Sequence, residues 1–370
     1  SKLQIMRILM VSRATLFLQP GGDTIQITKT AQYINKVKGI SVDIKTVSDK
    51  IDYINYDLIH LFNICRPSDL LGIINKSKLP YVISTIFVDF SEVEKNHFQK
   101  SRVFLSKLFS LDQMEYMKAV GRFLKNQEII TDYKYFIIGH KKSVKRIIKS
   151  AKLLLPNSES EYNRLYKCYG LKQKYHVIPN GIDTTVFKYV NSNNSKYKKF
   201  ENSILCVGQI TPVKNHLNLI QALNGTKYNV YIIGSPTLNA TYYYNKCLEI
   251  ASDNIHFISK LKQEELSVIY SKAKVHVLAS WFETTGLVSL EASYLGCNIV
   301  ITNKGDQMEY FQDNAFYCDP KDINSIRLAV DRAYSAKSNI KLKEKILSEY
   351  NWDVTAQKTI KAYEEVLKIS

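Results

Sequence analysis

Short runs of branched apolar residues alternate with helix-length segments, and the alternation occurs twice along the chain. No other feature restricts the fold as much. The run MRILMVS (Met6 to Ser12) reads as a buried strand. Gly21 and Gly22 follow it, and then Ile27, Ala31 and Ile34 form one helical stripe, giving a strand–loop–helix unit. Further strands are predicted at DLIHLFN (57–63), YVISTIF (81–87), AKLLLPNS (151–158) and YHVIPN (175–180). A polar stretch, KYVNSNNSKYKKFENS, interrupts the plan before it restarts over Ile204 to Gln209, NVYIIGS, NIHFIS, KVHVLAS and NIVITN. Strands this apolar, separated by helices, imply parallel sheets covered on both faces. The chain's 370 residues suit two such domains rather than one. The predicted organisation is a first domain over 1–182, a linker over 183–202, a second domain over 203–350 and a closing helix over 351–370. In the last segment Val354, Ile360, Tyr363 and Leu367 recur at helical spacing.

Charge separates the two halves. Residues 1–185 hold 29 Lys/Arg against 16 Asp/Glu, so most of the formal net charge of +17 lies there. Within that half, Lys95 to Lys152 carries 14 basic and four acidic residues, interleaved with apolar ones in FLSKLFSLDQMEYMKAVGRFLK and HKKSVKRIIKSAKLL. Such a surface suits an acidic partner, with peripheral contact to an anionic membrane as the expectation. Nucleic acid is not expected, because no recognised binding module accompanies the charge. The six cysteines show no C-x-x-C spacing and read as reduced. No apolar run approaches the length of a membrane span, and the opening residues do not read as a signal peptide. The expected location is cytoplasmic, peripheral on the inner face of the cell membrane.

In open α/β sheets, ligands bind beyond the carboxyl ends of the strands. The stretch SWFETTGLVSLEASYLGCNIVIT (Ser280 to Thr302) falls at such an end. Glu283 follows strand KVHVLAS, and Thr284, Thr285 and Gly286 lead into a helix beginning near Leu287, whose free backbone N–H groups suit a phosphate. Glu291 lies about two turns into that helix, among apolar residues where an unpartnered carboxylate is costly. No Asp-x-Asp occurs, so no metal site is expected, and no cofactor.

With these pieces in order, the chain resembles retaining nucleotide-sugar glycosyltransferases of the GT-B fold, specifically family 4. ETTGLVSLE matches that family's motif of two glutamates separated by seven residues, VGQITPVKN its phosphate-binding loop, VIPNGID its linker and PGGDT its first glycine loop. The resemblance implies two doubly wound, Rossmann-like sheets facing a cleft, with the C-terminal helix closing back on the first domain. It implies acceptor binding by the first domain and binding of a nucleotide-diphosphate sugar by the second. Glu283 then lies near hydroxyls of the transferred sugar and Glu291 on the ribose. Thr285, Gly286 and Leu287 serve the donor's phosphates, Lys214 the leaving diphosphate, and Gly22 approaches it from the first domain. The implied activity is metal-independent transfer of a sugar to a glycan or lipid-linked acceptor in surface polysaccharide or glycolipid synthesis.

Two departures stand out. Gln209 occupies the position where the family usually has an arginine, which leaves Lys214, the amides or another base to stabilise the diphosphate. Phe87 occupies the position of a frequent histidine, with Asp89 and Glu92 nearby and Asp89 a candidate on the acceptor side. Glu309, in NKGDQMEYF, faces the same region either as a ligand or as a loop residue. Two alternatives remain at this point: a nucleotide-sugar 2-epimerase of the same fold, and a non-catalytic binder of nucleotide sugars or polyanions.

Overall fold

The computed structural model describes residues 5–96, 103–104, 107–125, 128–338 and 340–368. The chain divides into two compact units, the first comprising Ser1–Val88, Phe104–Asn180 and Trp352–Ser370, the second Asp89–Val103 and Gly181–Asn351. Among the described residues the first unit holds five strands: β1 (Met6–Ser12), β2 (Ile40–Thr46), β3 (Leu58–Phe62), β4 (Tyr81–Ser84) and β5 (Leu153–Leu154). Their order in the sheet is β2-β1-β3-β4-β5, with every pairing parallel. The second unit holds six: β6 (Ile204–Val207), β7 (Val230–Ile233), β8 (Ile255–Ile258), β9 (Val275–Leu278), β10 (Asn298–Thr302) and β11 (Phe316–Cys318). Their order is β11-β10-β9-β6-β7-β8, again parallel throughout. Two doubly wound parallel sheets are the GT-B plan.

The central strands are buried on both faces, as their unbroken apolar runs require. Every residue of β3 and of β6 is buried. Fully burying one such Leu or Ile side chain contributes about 1.5–3 kcal/mol, so truncating Leu61 or Leu205, both fully buried, removes a core contact from its unit. β3 also carries His60 inside the core. Its two ring nitrogens meet the Tyr363 hydroxyl at 2.6 Å and the Ser84 hydroxyl at 2.8 Å. Burial pushes this histidine down to about 3, so the ring is neutral and serves as a polar tie. Tyr363 lies on the helix Trp352–Leu367, which packs in the first unit against the helix Gly22–Ile34, and Thr355 there donates to the Pro179 carbonyl at 2.7 Å. The closing helix therefore returns to the first unit.

Three local expectations need correction. Residues 175–180 form no strand; only an isolated bridge joins Leu154 to Tyr175. Segment 183–202 is not a free linker: Phe187 and Phe200 are buried in the second unit, and the Lys188 and Val190 amides donate to Ser267 and Ser271 at 3.0 and 3.2 Å. The basic helix His140–Ser150 buries Val144, Ile147 and Ile148 in the core of the first unit, so its apolar face is already used. Lys141, Lys142, Arg146 and Lys149 remain exposed and Lys145 half-buried. Exposed apolar side chains of this region lie before that helix, among them Met117, Leu124, Ile129, Tyr133 and Ile137. Lys100 and Arg102 of the basic run lie outside the described residues.

Candidate functional site

Two loops meet at the carboxyl edge of the second unit's sheet. After β6, the turn Pro212–Lys214 ends at Asn215, whose φ is +57°. The buried Asn215 carboxamide donates to the carbonyls of Ala279 at 3.0 Å and Pro320 at 2.7 Å, which staples this turn to the end of β9. A backbone bond from Trp281 to the Val213 carbonyl, 2.9 Å, reinforces the join. Lys214 is thereby delivered to Glu283: its Nζ pairs with Glu283 Oε1, which also accepts from the Ser280 hydroxyl at 2.7 Å. The carboxylate is nearly buried and the lysine about three-quarters so. A base and an acid 69 positions apart in sequence thus share one oxygen.

The segment after Glu283 is held by the loop that follows β10. Asp306 donates its N–H to the Glu283 carbonyl at 2.8 Å, and Glu283 pairs with Gly305 in a parallel bridge. Gly305 has φ +96°, and a Cβ there would lie 1.9 Å from the Glu283 carbonyl oxygen, so only glycine fits. Gly286, φ +67°, caps the helix Leu287–Tyr294 without any side-chain cap. The N–H groups of that first turn are the ordinary anion-binding donors of a helix start. Thr285 is buried and bonds the Tyr310 hydroxyl at 3.3 Å.

Glu291 lies in the same helix and is 6% exposed. Burial pushes its carboxyl up to about 8. Tyr270, close enough for Glu291 to raise its own pKa, is fully buried with an unpartnered hydroxyl, and His276, ring-to-ring 6.0 Å from Tyr270, has an unpartnered Nε2. Two unpaired polar atoms near a buried carboxyl are an expensive arrangement for a core.

Gln209 follows β6 and is exposed. Gly22 opens the first unit's helix Gly22–Ile34 as an exposed residue, with open space where a Cβ would go. Asp89 accepts from the Ser91 amide at 2.9 Å, the bond of a turn residue at a helix start. Phe87 is buried and packs edge-on against Tyr169, centroids 5.9 Å apart. Its ring points into the core, so it does not take over a histidine's contacts. Glu309 is half-buried, and the side chain of Glu92 lies outside the described residues. Sequence reasoning missed Ser280 and Asn215. Ser280 stood within the quoted motif, three residues before Glu283; Asn215 acts through contacts between loops that no spacing reveals. Among the described residues no three His, Cys, Asp or Glu side chains cluster as a metal site requires.

Residues 190–350, which contain this whole arrangement, match the family "Glycosyl transferases group 1". That part of the chain is similar to group 1 glycosyl transferases. Among curated proteins, the chain is 28% identical over 218 residues to an uncharacterized glycosyltransferase of Methanocaldococcus jannaschii, covering 54% of this chain and 56% of that one. It is 25% identical over 214 residues to the O-antigen chain mannosyltransferase RfbU of Salmonella typhimurium, covering 57% and 59%. The matches span between half and three-fifths of these relatives' lengths. Among solved structures, Anabaena HepE in complex with UDP-glucose superposes with a TM-score of 0.70 at 15% identity, covering 97% of this chain and all of that one. At that identity the likeness shows a shared GT-B fold.

Proposed function

We propose that this protein is a metal-independent, retaining glycosyltransferase that moves a sugar from a nucleotide-diphosphate sugar to a hydroxyl of a glycan or lipid-linked acceptor. The observation that carries this reading is the meeting of Lys214, Glu283 and an uncapped helix start within the second unit. Breaking the anomeric C–O bond leaves negative charge on the departing diphosphate and positive character on the sugar. The Lys214 ammonium and the N–H groups at Gly286 and Leu287 supply the charge and dipole for the first, and Glu283 accepts hydrogen bonds from the sugar's hydroxyls. Lys214 and Glu283 are paired with each other, so donor binding exchanges partners: phosphate replaces carboxylate on the lysine, and sugar hydroxyl replaces lysine on the glutamate. Glu291 supports the ribose. HepE holding UDP-glucose on the same fold supports a nucleotide-sugar donor, and RfbU's O-antigen chain supports a role in surface polysaccharide or glycolipid synthesis.

Acceptor binding falls to the first unit in this reading, and its surface suits an anionic bilayer. Exposed Leu124, Ile129, Tyr133 and Ile137 lie in the same short region as exposed Lys125, Lys134, Lys141 and Lys142, the pairing of apolar and basic side chains that holds a protein at a lipid interface without spanning it. No helix among the described residues is long and apolar enough to cross a membrane.

Thermal unfolding with UDP, GDP and ADP tests the donor reading, since a ligand at 100 times its Kd stabilises by about 2.7 kcal/mol. Incubating the corresponding nucleotide sugars without acceptor then separates the alternatives. A transferase releases nucleotide diphosphate slowly by hydrolysis, a 2-epimerase converts the donor, and a non-catalytic binder leaves it intact. Indifference to all three diphosphates refutes the proposal.

A further inference from the structure

Gln307 is 1% exposed, and neither the oxygen nor the nitrogen of its carboxamide has a hydrogen-bond partner among the described residues. Both atoms of a neutral amide are ordinarily satisfied when buried, and leaving them unpaired is a cost the folded chain normally avoids. Its placement is fixed from two directions. The preceding residues are joined to Glu283 through the Asp306 amide and the close approach of Gly305. On its other side, Gln307 Nε2 lies 2.0 Å from where a Cβ on Gly286 would stand, so the carboxamide rests directly on the turn that starts the helix Leu287–Tyr294. That helix start has no side-chain cap. A helix start without a side-chain cap and an unpaired carboxamide therefore meet at one turn, three residues beyond Glu283.

The chemistry of the carboxamide identifies the ligand group. A phosphate oxygen only accepts, so it satisfies Nε2 and leaves Oε1 empty. A hydroxyl donates to Oε1 and accepts from an N–H at the same time. We propose that Gln307 is a specificity-determining residue whose carboxamide binds a hydroxyl of the transferred sugar at the Gly286 turn, beside Glu283. The inference rests on the donor reading above and adds to it the residue that distinguishes the sugar from its nucleotide. The Gly286 turn rests against the carboxamide, and the sugar reaches it by displacing that turn.

The test is Gln307→Met, which keeps side-chain length and removes both polar atoms. Calorimetry compares the nucleoside diphosphate that binds wild-type protein, chosen from UDP, GDP and ADP, with its glucose and mannose derivatives. The expected result is unchanged affinity for the diphosphate, about tenfold weaker binding of the preferred sugar nucleotide, and a ligand-free melting temperature equal to or above wild type. A purely structural glutamine moves these readouts otherwise. Equal weakening of both ligands, no weakening of either, or a variant that melts lower or fails to fold each overturns the assignment of Gln307 while leaving the donor reading intact. Wild-type protein that binds none of the diphosphates overturns both.

Discussion

Replacing Glu291 with glutamine removes one titrating group from the core of the second unit, and the consequence for stability follows from its burial. The carboxyl is pushed up to about 8, against an ordinary value of 4.5. Between these two values the folded state holds a proton that the unfolded state has released, so stability falls as pH rises through that window. The contribution is fully present below about pH 4.5 and lost progressively up to about pH 8. One proton limits the slope to about 1.4 kcal/mol per pH unit, which gives roughly 3 kcal/mol between pH 5 and pH 8. Its neighbours do not cancel the effect: Tyr270 is raised well above its ordinary value and His276 is pushed down to about 3, so both stay neutral throughout. Glu291→Gln should match wild type within a small offset at pH 5 and exceed it increasingly toward pH 8. The assay is urea unfolding across that range, followed by Trp281 fluorescence in a Trp352→Phe background, because each tryptophan lies in a different unit. A difference between variant and wild type that stays constant with pH refutes the reasoning and places a partner or water on the carboxyl.

Lys214→Ala should remove most transferase activity at saturating donor, whereas Gln209→Arg should leave the fold intact and tighten binding of the diphosphate; activity indifferent to Lys214 would assign the leaving group to another base. Glu283→Gln should lower turnover sharply with modest loss of nucleotide affinity, and Glu291→Ala should chiefly weaken the nucleotide, both read by steady-state kinetics with calorimetry. Gly305→Ala places a methyl 1.9 Å from the Glu283 carbonyl at φ +96°, so it should destabilise by about 1–3 kcal/mol and abolish activity, measured by melting and by turnover. Reversing Lys134, Lys141 and Lys142 should release the protein from anionic vesicles in sedimentation at low salt and leave diphosphate binding unchanged, each charge contributing about 1 kcal/mol; wild-type protein that ignores such vesicles refutes the membrane surface.

The fold was legible where burial is uniform. The runs that became β1, β3, β4, β6, β7, β9 and β10 are apolar on both faces, and that pattern survives without knowledge of neighbours. β2 was missed because ISVDIKT alternates buried and exposed side chains as an edge strand does, and β11 because it is three residues long. Residues 175–180 carry the apolar signal of a strand but pair with the sheet only through the isolated bridge from Leu154 to Tyr175. At the site, the Glu283 motif and Lys214 were visible as residue types at recognisable places. What delivers them was not. Asn215 holds the lysine loop to β9 through carbonyls 64 and 105 positions away, and such bonds depend on the fold already being present.

The return of the helix Trp352–Leu367 to the first unit has a bearing on how the protein is made. During synthesis the second unit's stretch from Gly181 to Asn351 emerges before the helix that completes the first. Until then the His60 imidazole lacks the Tyr363 hydroxyl and the Pro179 carbonyl lacks Thr355, and the surface that receives Tyr363 and Trp352 is open to water. At about 5–20 residues per second, the earlier-made unit waits for roughly ten seconds or more while the later one passes through the ribosome. Its exposed apolar face is then a place for chaperones to act, and the first unit becomes a finished globule only after the second.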